Sequence, residues 1–217
     1  MEKLIAQALE LIEPNMTVSF GGGRTVGRLI KALDKNLNLK IASPSESTRK
    51  LCLELGITVV SLDQVERFDI AFDGCDSIDE NLNVLKSNGG IHTLEKLYAN
   101  LAKRYVIMAP ESRFAKVLNP EVVLSVEVLE LAIPQVLQKV QELGGVGKVR
   151  QSSEIAGMVR TENGNGLVDC QFSDWSKIKQ INEALEQMTG VLGTSYFENL
   201  VTDVLLATND DVKHLKK

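Results

Sequence analysis

The sequence predicts an α/β protein: a Rossmann-like, open and mostly parallel sheet, with a second, ferredoxin-like α+β domain. Three observations carry this expectation. In the first half, short apolar runs alternate with segments whose apolar residues recur at helical spacing, the pattern of βαβ units that cover both faces of a parallel sheet. In the second half the rhythm becomes β-α-β-β-α-β, the ferredoxin-like order. Near the end, VTDVLLAT reads as one more strand, able to return to the first sheet. The expected division is residues 1–124 with 198–217 for the Rossmann-like domain and 125–197 for the ferredoxin-like one.

The elements follow in order. Leu4, Ile5, Ala8, Leu9 and Ile12 share one face of a first helix, which Pro14 stops. MTVSF reads as a strand and GGG as a turn, and Val26, Leu29, Ile30, Leu33 and Leu37 form a second helical stripe. LKIAS (strand), STRKLCLEL (helix), ITVVS and FDIAFD (strands), a helix over 93–102 and RYVIMA (strand) complete the first half. VVLSVEV, helix PQVLQKVQELGG, strands KVRQ and GLVDCQF, helix KIKQINEALEQM and strand VLGTSYF make up the second, punctuated by the turns LGG and TENGNG.

Composition narrows the function. The 217 residues are 44% hydrophobic and 24% charged, ordinary for a globular chain. A net charge of −5 argues against nucleic-acid binding, which needs a basic face. No apolar run approaches the roughly 18–20 residues that span a bilayer, and Glu10 and Glu13 interrupt the N-terminal segment, so it does not read as a signal peptide. Cys52, Cys75 and Cys170 are scattered, odd in number and form no CxxC. They predict a reducing cytoplasm, with no disulfide framework or zinc site.

Ligands of open parallel sheets gather at the carboxyl ends of the strands, and two polar segments sit there. FGGGRT leads from strand into helix, where free N–H groups and the helix dipole suit a phosphate. Gly21, Gly23 and Gly27 space as GxGxxxG, not as the dinucleotide fingerprint, and no Walker lysine follows, so a single phosphate is expected. The second segment, DGCDSIDE, places Asp73 at the end of a strongly apolar strand. Asp79 and Glu80 read as a solvated loop and Cys75 as small filler. Lys86 then precedes a flexible polar bend, and Glu95 lies on the next helix beside Leu94 and Leu97. If Glu95 faces inward, burial raises its pKa toward that of a useful base. If not, it is a surface residue favoured by the helix dipole. His92 reads as exposed.

Together these elements resemble the type A ribose-5-phosphate isomerase family over nearly the whole chain. The family's GxGST loop resembles GGGRT here, its DGADE segment DGCDS, its lysine and three glycines KSNG, and its R-E-K helix start L-E-K. The spacing from Asp73 to Lys86 to Glu95 matches, as does the TxNGN turn of the second domain. The resemblance implies interconversion of ribose 5-phosphate and ribulose 5-phosphate through an enediolate, in the pentose phosphate pathway, without metal or organic cofactor. It implies Glu95 as the proton shuttle, Lys86 as the oxyanion stabiliser, and Asp73 and Asp76 as holders of the hydroxyls that help to open the sugar ring. Phosphate would be gripped by Gly22, Gly23, Arg24, Thr25 and Arg113, with Gly74, Cys75, Ser87, Asn88 and Gly89 lining the substrate. The first domain would be catalytic and the second a lid or oligomerisation unit, in a cytoplasmic homodimer or tetramer whose only partner is a small phosphosugar.

This chain departs from the family at the rim: Arg24 stands for serine, Gly22 for threonine, and Ser87 and Asn88 for glycines. The departures leave isomerisation of a related phosphosugar open, and non-catalytic phosphosugar sensing is carried alongside because effector domains of some sugar-responsive repressors resemble the same fold. A third, NADP binding, would use Ser43 and Arg49 on a cofactor phosphate.

Overall fold

A computed structural model describes residues 1–217. In chain order the first half forms α1 (Glu2–Leu9), β1 (Thr17–Phe20), α2 (Arg24–Lys31), β2 (Lys40–Ala42), α3 (Glu46–Glu54), β3 (Ile70–Asp73), β4 (Ser77–Ile78), β5 (Val84–Leu85), α4 (His92–Asn100) and β6 (Tyr105–Pro110). The second half forms β7 (Leu124–Val128), α5 (Ile133–Glu142), β8 (Gly145–Val149), β9 (Gly166–Phe172), α6 (Ile178–Glu186), β10 (Val191–Thr194), β11 (Tyr196–Phe197), β12 (Asp203–Ala207) and β13 (Val212–Lys216). The main sheet has the order β13-β12-β6-β3-β1-β2, parallel except for the edge strand β13. The other sizeable sheet, β10-β7-β9-β8, is antiparallel and ferredoxin-like in order. A small sheet, β11-β5-β4, joins them.

Apolar sequence explains why the centre is rigid. All four residues of β3 are buried, as are the last three of β1, and Phe20 stacks on Phe72 at 5.9 Å. Val18, Phe20, Ile70 and Phe72 each contribute about 1.5–3 kcal/mol by leaving water. The chain leaves β1 outward to β2, then crosses back to β3 on the other side of β1. That reversal opens a crevice between the carboxyl ends of β1 and β3, the position where open α/β sheets bind ligands.

Several details differ from the sequence expectation. ITVVS is not a strand. It makes one bridge, Ile41 to Val59, beside the short edge strand β2. VLGTSYF breaks in two at Ser195, where the chain leaves β7 and joins β5. Ser195 donates its N–H to Ser125 O at 2.8 Å and accepts Lys86 N–H at 2.9 Å, so both sheets meet on one residue. The terminal segment, which carried no expectation, forms β13 against β12. Asp79 is buried rather than solvated, because its carboxylate accepts from Asn81 N, Asn83 N and Asn83 Nδ2 and so folds the turn between β4 and β5. Glu80 is exposed, as expected. No helix is long and apolar enough to cross a membrane.

Candidate active site

The crevice between β1 and β3 opens into a cleft of about 700 Å³, a usual size for a small-molecule site. Two strand ends build its floor. Gly21, directly after β1, donates its N–H to Phe72 O at 2.8 Å. A Cβ on Gly21 would stand 2.2 Å from the Asp73 carboxylate, so only glycine lets this acid occupy the rim. Asp73 is 3% exposed. Its Oδ1 accepts from Gly74 N at 2.8 Å and from Lys86 Nζ at 2.9 Å, and its Oδ2 from Tyr105 Oη at 3.1 Å.

Lys86, 6% exposed, follows β5 and reaches inward. Its ammonium donates to Gly74 O at 2.6 Å and forms ion pairs with Asp73 Oδ1 and with Glu95 Oε1, the latter at 3.2 Å. Burial alone would lower its pKa. The Asp73 and Glu95 carboxylates and the hydrogen bond to Asp73 outweigh that, and the pKa stands above the ordinary lysine value. Lys86 is therefore a fixed cation.

Glu95 faces inward from α4 and is 6% exposed. The helix period explains this, since His92, Glu95 and Ala99 recur at helical spacing on its buried face. Burial, followed by repulsion from Asp73, pushes Glu95 up to about 8 against the pull of Lys86. Its Oε1 touches Lys86, while the residue itself lines the cleft. A carboxylate with a raised pKa beside a fixed cation can take a proton and give it back near neutral pH.

The anion end lies opposite. Gly23 holds φ 94°, a glycine conformation, and no side chain caps the first turn of α2. Arg24 is exposed at that turn, lines the cleft and makes no ion pair with Asp76. Thr48 Oγ1 ties Gly21 O to α3 at 2.7 Å, which brings Ser45, Glu46 and Ser47 to the cleft wall. Arg113 lines the same cleft and donates to Cys75 O. Cys75 is buried filler as expected, because burial pushes its thiol up to about 12 and keeps it un-ionised.

The structure gathers Gly22, Gly23, Arg24, Thr25, Asp73, Gly74, Cys75, Asp76, Lys86, Asn88, Gly89, Glu95 and Arg113 around one cleft. Ser87 is the exception among the expected lining residues. It is fully buried, and its hydroxyl turns away to Val123 O (2.5 Å) and Ser195 Oγ (2.9 Å). Asp76 lines the cleft, but its carboxylate accepts from Ser87 N, Asn88 N and Asn88 Nδ2 at 2.7, 2.9 and 2.7 Å. Of about four lone-pair sites, one remains for a ligand, so its first task is to shape the loop after Lys86.

His92, expected on the surface, is fully buried between α4 and β10, with Nε2 3.2 Å from Gly193 O. Burial pulls its pKa down to about 4, which keeps it neutral. Ser43 and Arg49 lie outside this cleft: Ser43 is buried, and Arg49 pairs with both oxygens of Glu162 at 2.8 and 2.9 Å. Sequence reasoning missed Gly21, Ser45 and Tyr105. Tyr105 carried a signal, since it begins a strand whose buried run could have been placed beside Asp73.

The chain is similar to known proteins over most of its length. Residues 40–211 match the family described as ribose 5-phosphate isomerase A (phosphoriboisomerase A). The ribose-5-phosphate isomerase A of Prochlorococcus marinus (strain MIT 9211) is 34% identical over 214 residues, 95% of this chain and 90% of that protein. The protein of the same name from Pyrococcus furiosus is 30% identical over 224 residues, covering 100% and 98%. Among solved structures, ribose 5-phosphate isomerase A of Methanocaldococcus jannaschii superposes with a TM-score of 0.92 at 30% identity, covering 99% of this chain and 97% of that one. A D-ribose-5-phosphate isomerase in complex with phospho-erythronic acid gives 0.94 at 26% identity, covering 100% and 97%.

Proposed function

The chain belongs to the ribose 5-phosphate isomerase A family and interconverts ribose 5-phosphate and ribulose 5-phosphate, and we propose that Glu95 carries the proton between the two carbons. The observation that supports this role is the buried triangle of Glu95, Lys86 and Asp73 at the head of the cleft. In the open-chain aldose, Glu95 removes the C2 proton and the electrons move onto the carbonyl oxygen at C1. The enediolate then holds the charge that Glu95 has just lost, and the Lys86 proton that served Glu95 turns to the sugar oxygen. Total charge around Lys86 is unchanged, so the cluster need not reorganise. A hydroxyl proton moves from O2 to O1, Glu95 returns its proton to C1, and the ketose forms. Asp73 and Asp76, each with about one lone-pair site left, hold the hydroxyls, and Asp73 assists ring opening. The uncapped turn Gly22–Thr25 and Arg113 anchor the phosphate, so that remote binding energy orients the reacting carbons.

The four-carbon acid named with the structural relative supports this reading by its chemistry, since a carboxylate beside a hydroxyl-bearing carbon presents the charge of an enediolate. The direct test is ketose formation measured across several pentose and hexose phosphates. Turnover confined to ribose 5-phosphate supports the assignment, and its absence with all sugars would mean binding without catalysis. Arg24 answers for part of the specificity. A cation in the first turn opposes the helix dipole, costing a few tenths of a kcal/mol unless an anion compensates, and a guanidinium can grip two phosphate oxygens. Arg24→Ser should weaken ribose 5-phosphate binding and flatten its salt dependence. Equal affinities and slopes at low and high ionic strength would place Arg24 outside the site.

Residues 125–197 act in this reading as a lid and oligomerisation unit of a cytoplasmic homodimer. Exposed Leu129, Leu131, Val146 and Leu192 give that unit apolar surface to share. Sedimentation equilibrium showing only monomer at micromolar concentration would overturn the dimer.

A further inference from the structure

The loop that carries Lys86 is held from two sides. On the cleft side Asp76 takes the N–H groups of Ser87 and Asn88. On the far side one residue of the antiparallel domain takes their carbonyls. Arg150, just past β8, donates from Nη2 to Ser87 O at 2.8 Å and from Nη1 to Asn88 O at 3.3 Å. Its guanidinium is itself locked in plane by Asp169 of β9, through Nε–Oδ2 at 2.8 Å and Nη2–Oδ1 at 2.6 Å, and Nη2 also meets Ser125 Oγ at 3.1 Å. The fork geometry permits this and a lysine does not, because five donors lie in one rigid plane. Gly90 completes the fit. It turns at φ +67°, and a Cβ there would stand 2.8 Å from Leu167 and 3.3 Å from Arg150 Nη1.

We propose that Arg150, oriented by Asp169, is a positioning residue for the isomerisation: it fixes the loop so that the Lys86 ammonium stands against the reacting oxygens. The inference rests on the role given to Lys86 above. It gives the antiparallel domain a part in the chemistry that needs no closure over the sugar. The Lys86 backbone N–H already hangs on Ser195 O of the same domain. Without Arg150 the carbonyls of Ser87 and Asn88 lose their partners, and the backbone that follows Lys86 is held from the Asp76 side alone.

The test is a pair of variants and a cycle. Arg150→Met combined with Asp169→Asn removes one charge of each sign, so the net charge is kept. It should lower kcat by about 10- to 100-fold, the scale of a 1 Å misplacement, while KM moves less than threefold. Arg150→Lys keeps the charge and can reach one carbonyl only, so it should fall between that form and wild type. If the double variant does not fold, Arg150→Lys alone carries the test. Placed on Lys86→Met, the same changes should cost almost nothing, because no ammonium remains to be positioned. A wild-type kcat in folded Arg150→Lys or in the double variant overturns the proposal. So does a full additional loss on the Lys86→Met background. If Lys86→Met itself alters only KM, the role of Lys86 is what fails, a result separate from the Arg150 measurements.

Discussion

Glu95→Gln should reduce kcat by at least about 100-fold, the low end for loss of a general base, with ribose 5-phosphate still bound. Glutamine preserves the shape, and its carbonyl can still accept from Lys86, so the 3.2 Å contact need not be lost. What disappears is the group that takes and returns the proton. The pH profile adds a second signature. The base must be ionised, and burial with Asp73 repulsion sets its pKa near 8. Wild-type kcat/KM should therefore rise with pH through that region and level off above it. The residual activity of the glutamine form should lack this limb. Near-normal turnover, or an unchanged acidic limb, would show that another group carries the proton.

Lys86→Met should cost about 100- to 1,000-fold in kcat, the scale for losing one preorganised donor to an oxyanion, and should do so in two ways. The enediolate loses its cation. Asp73 and Glu95 also face each other without the charge between them, which drives the Glu95 pKa further up and leaves still less of the base ionised at neutral pH. Raising the pH should recover the second loss and not the first. An effect confined to KM would mean that Lys86 only holds the substrate. Because both residues belong to one charge cluster, the two variants together should cost much less than the product of their separate losses.

The motifs were legible because each is a local arrangement. Glycines at a strand end, an acid closing an apolar strand and a carboxylate at helical spacing are all fixed by neighbours in sequence. Apart from Asp79, whose partners Asn81 and Asn83 are close neighbours, the errors fall where a partner lies far along the chain. His92 and Asp79 looked exposed because polar residues usually are, yet one packs under β10 and the other folds a turn. Ser87 looked like a ligand contact because it follows Lys86, but Val123 and Ser195 claim its hydroxyl. Gly21 passed as one of three turn glycines, although its missing Cβ is what admits Asp73.

The sequence by itself determined the two layered domains, the reaction class through its family resemblance, and the identity of the charged residues that meet in the cleft. The domains follow from periodicity, and the reaction class and its residues from the resemblance that the motifs carry. Only the tertiary structure decided how these groups act on one another. The raised pKa of Glu95 comes from burial and from Asp73, which ends the strand β3. The anchoring of Lys86 comes from Ser195, and that of its loop from Arg150, more than 60 residues away along the chain. Electrostatic and hydrogen-bond energies depend on distance and on the exclusion of water, and neither exists until the sheets have packed.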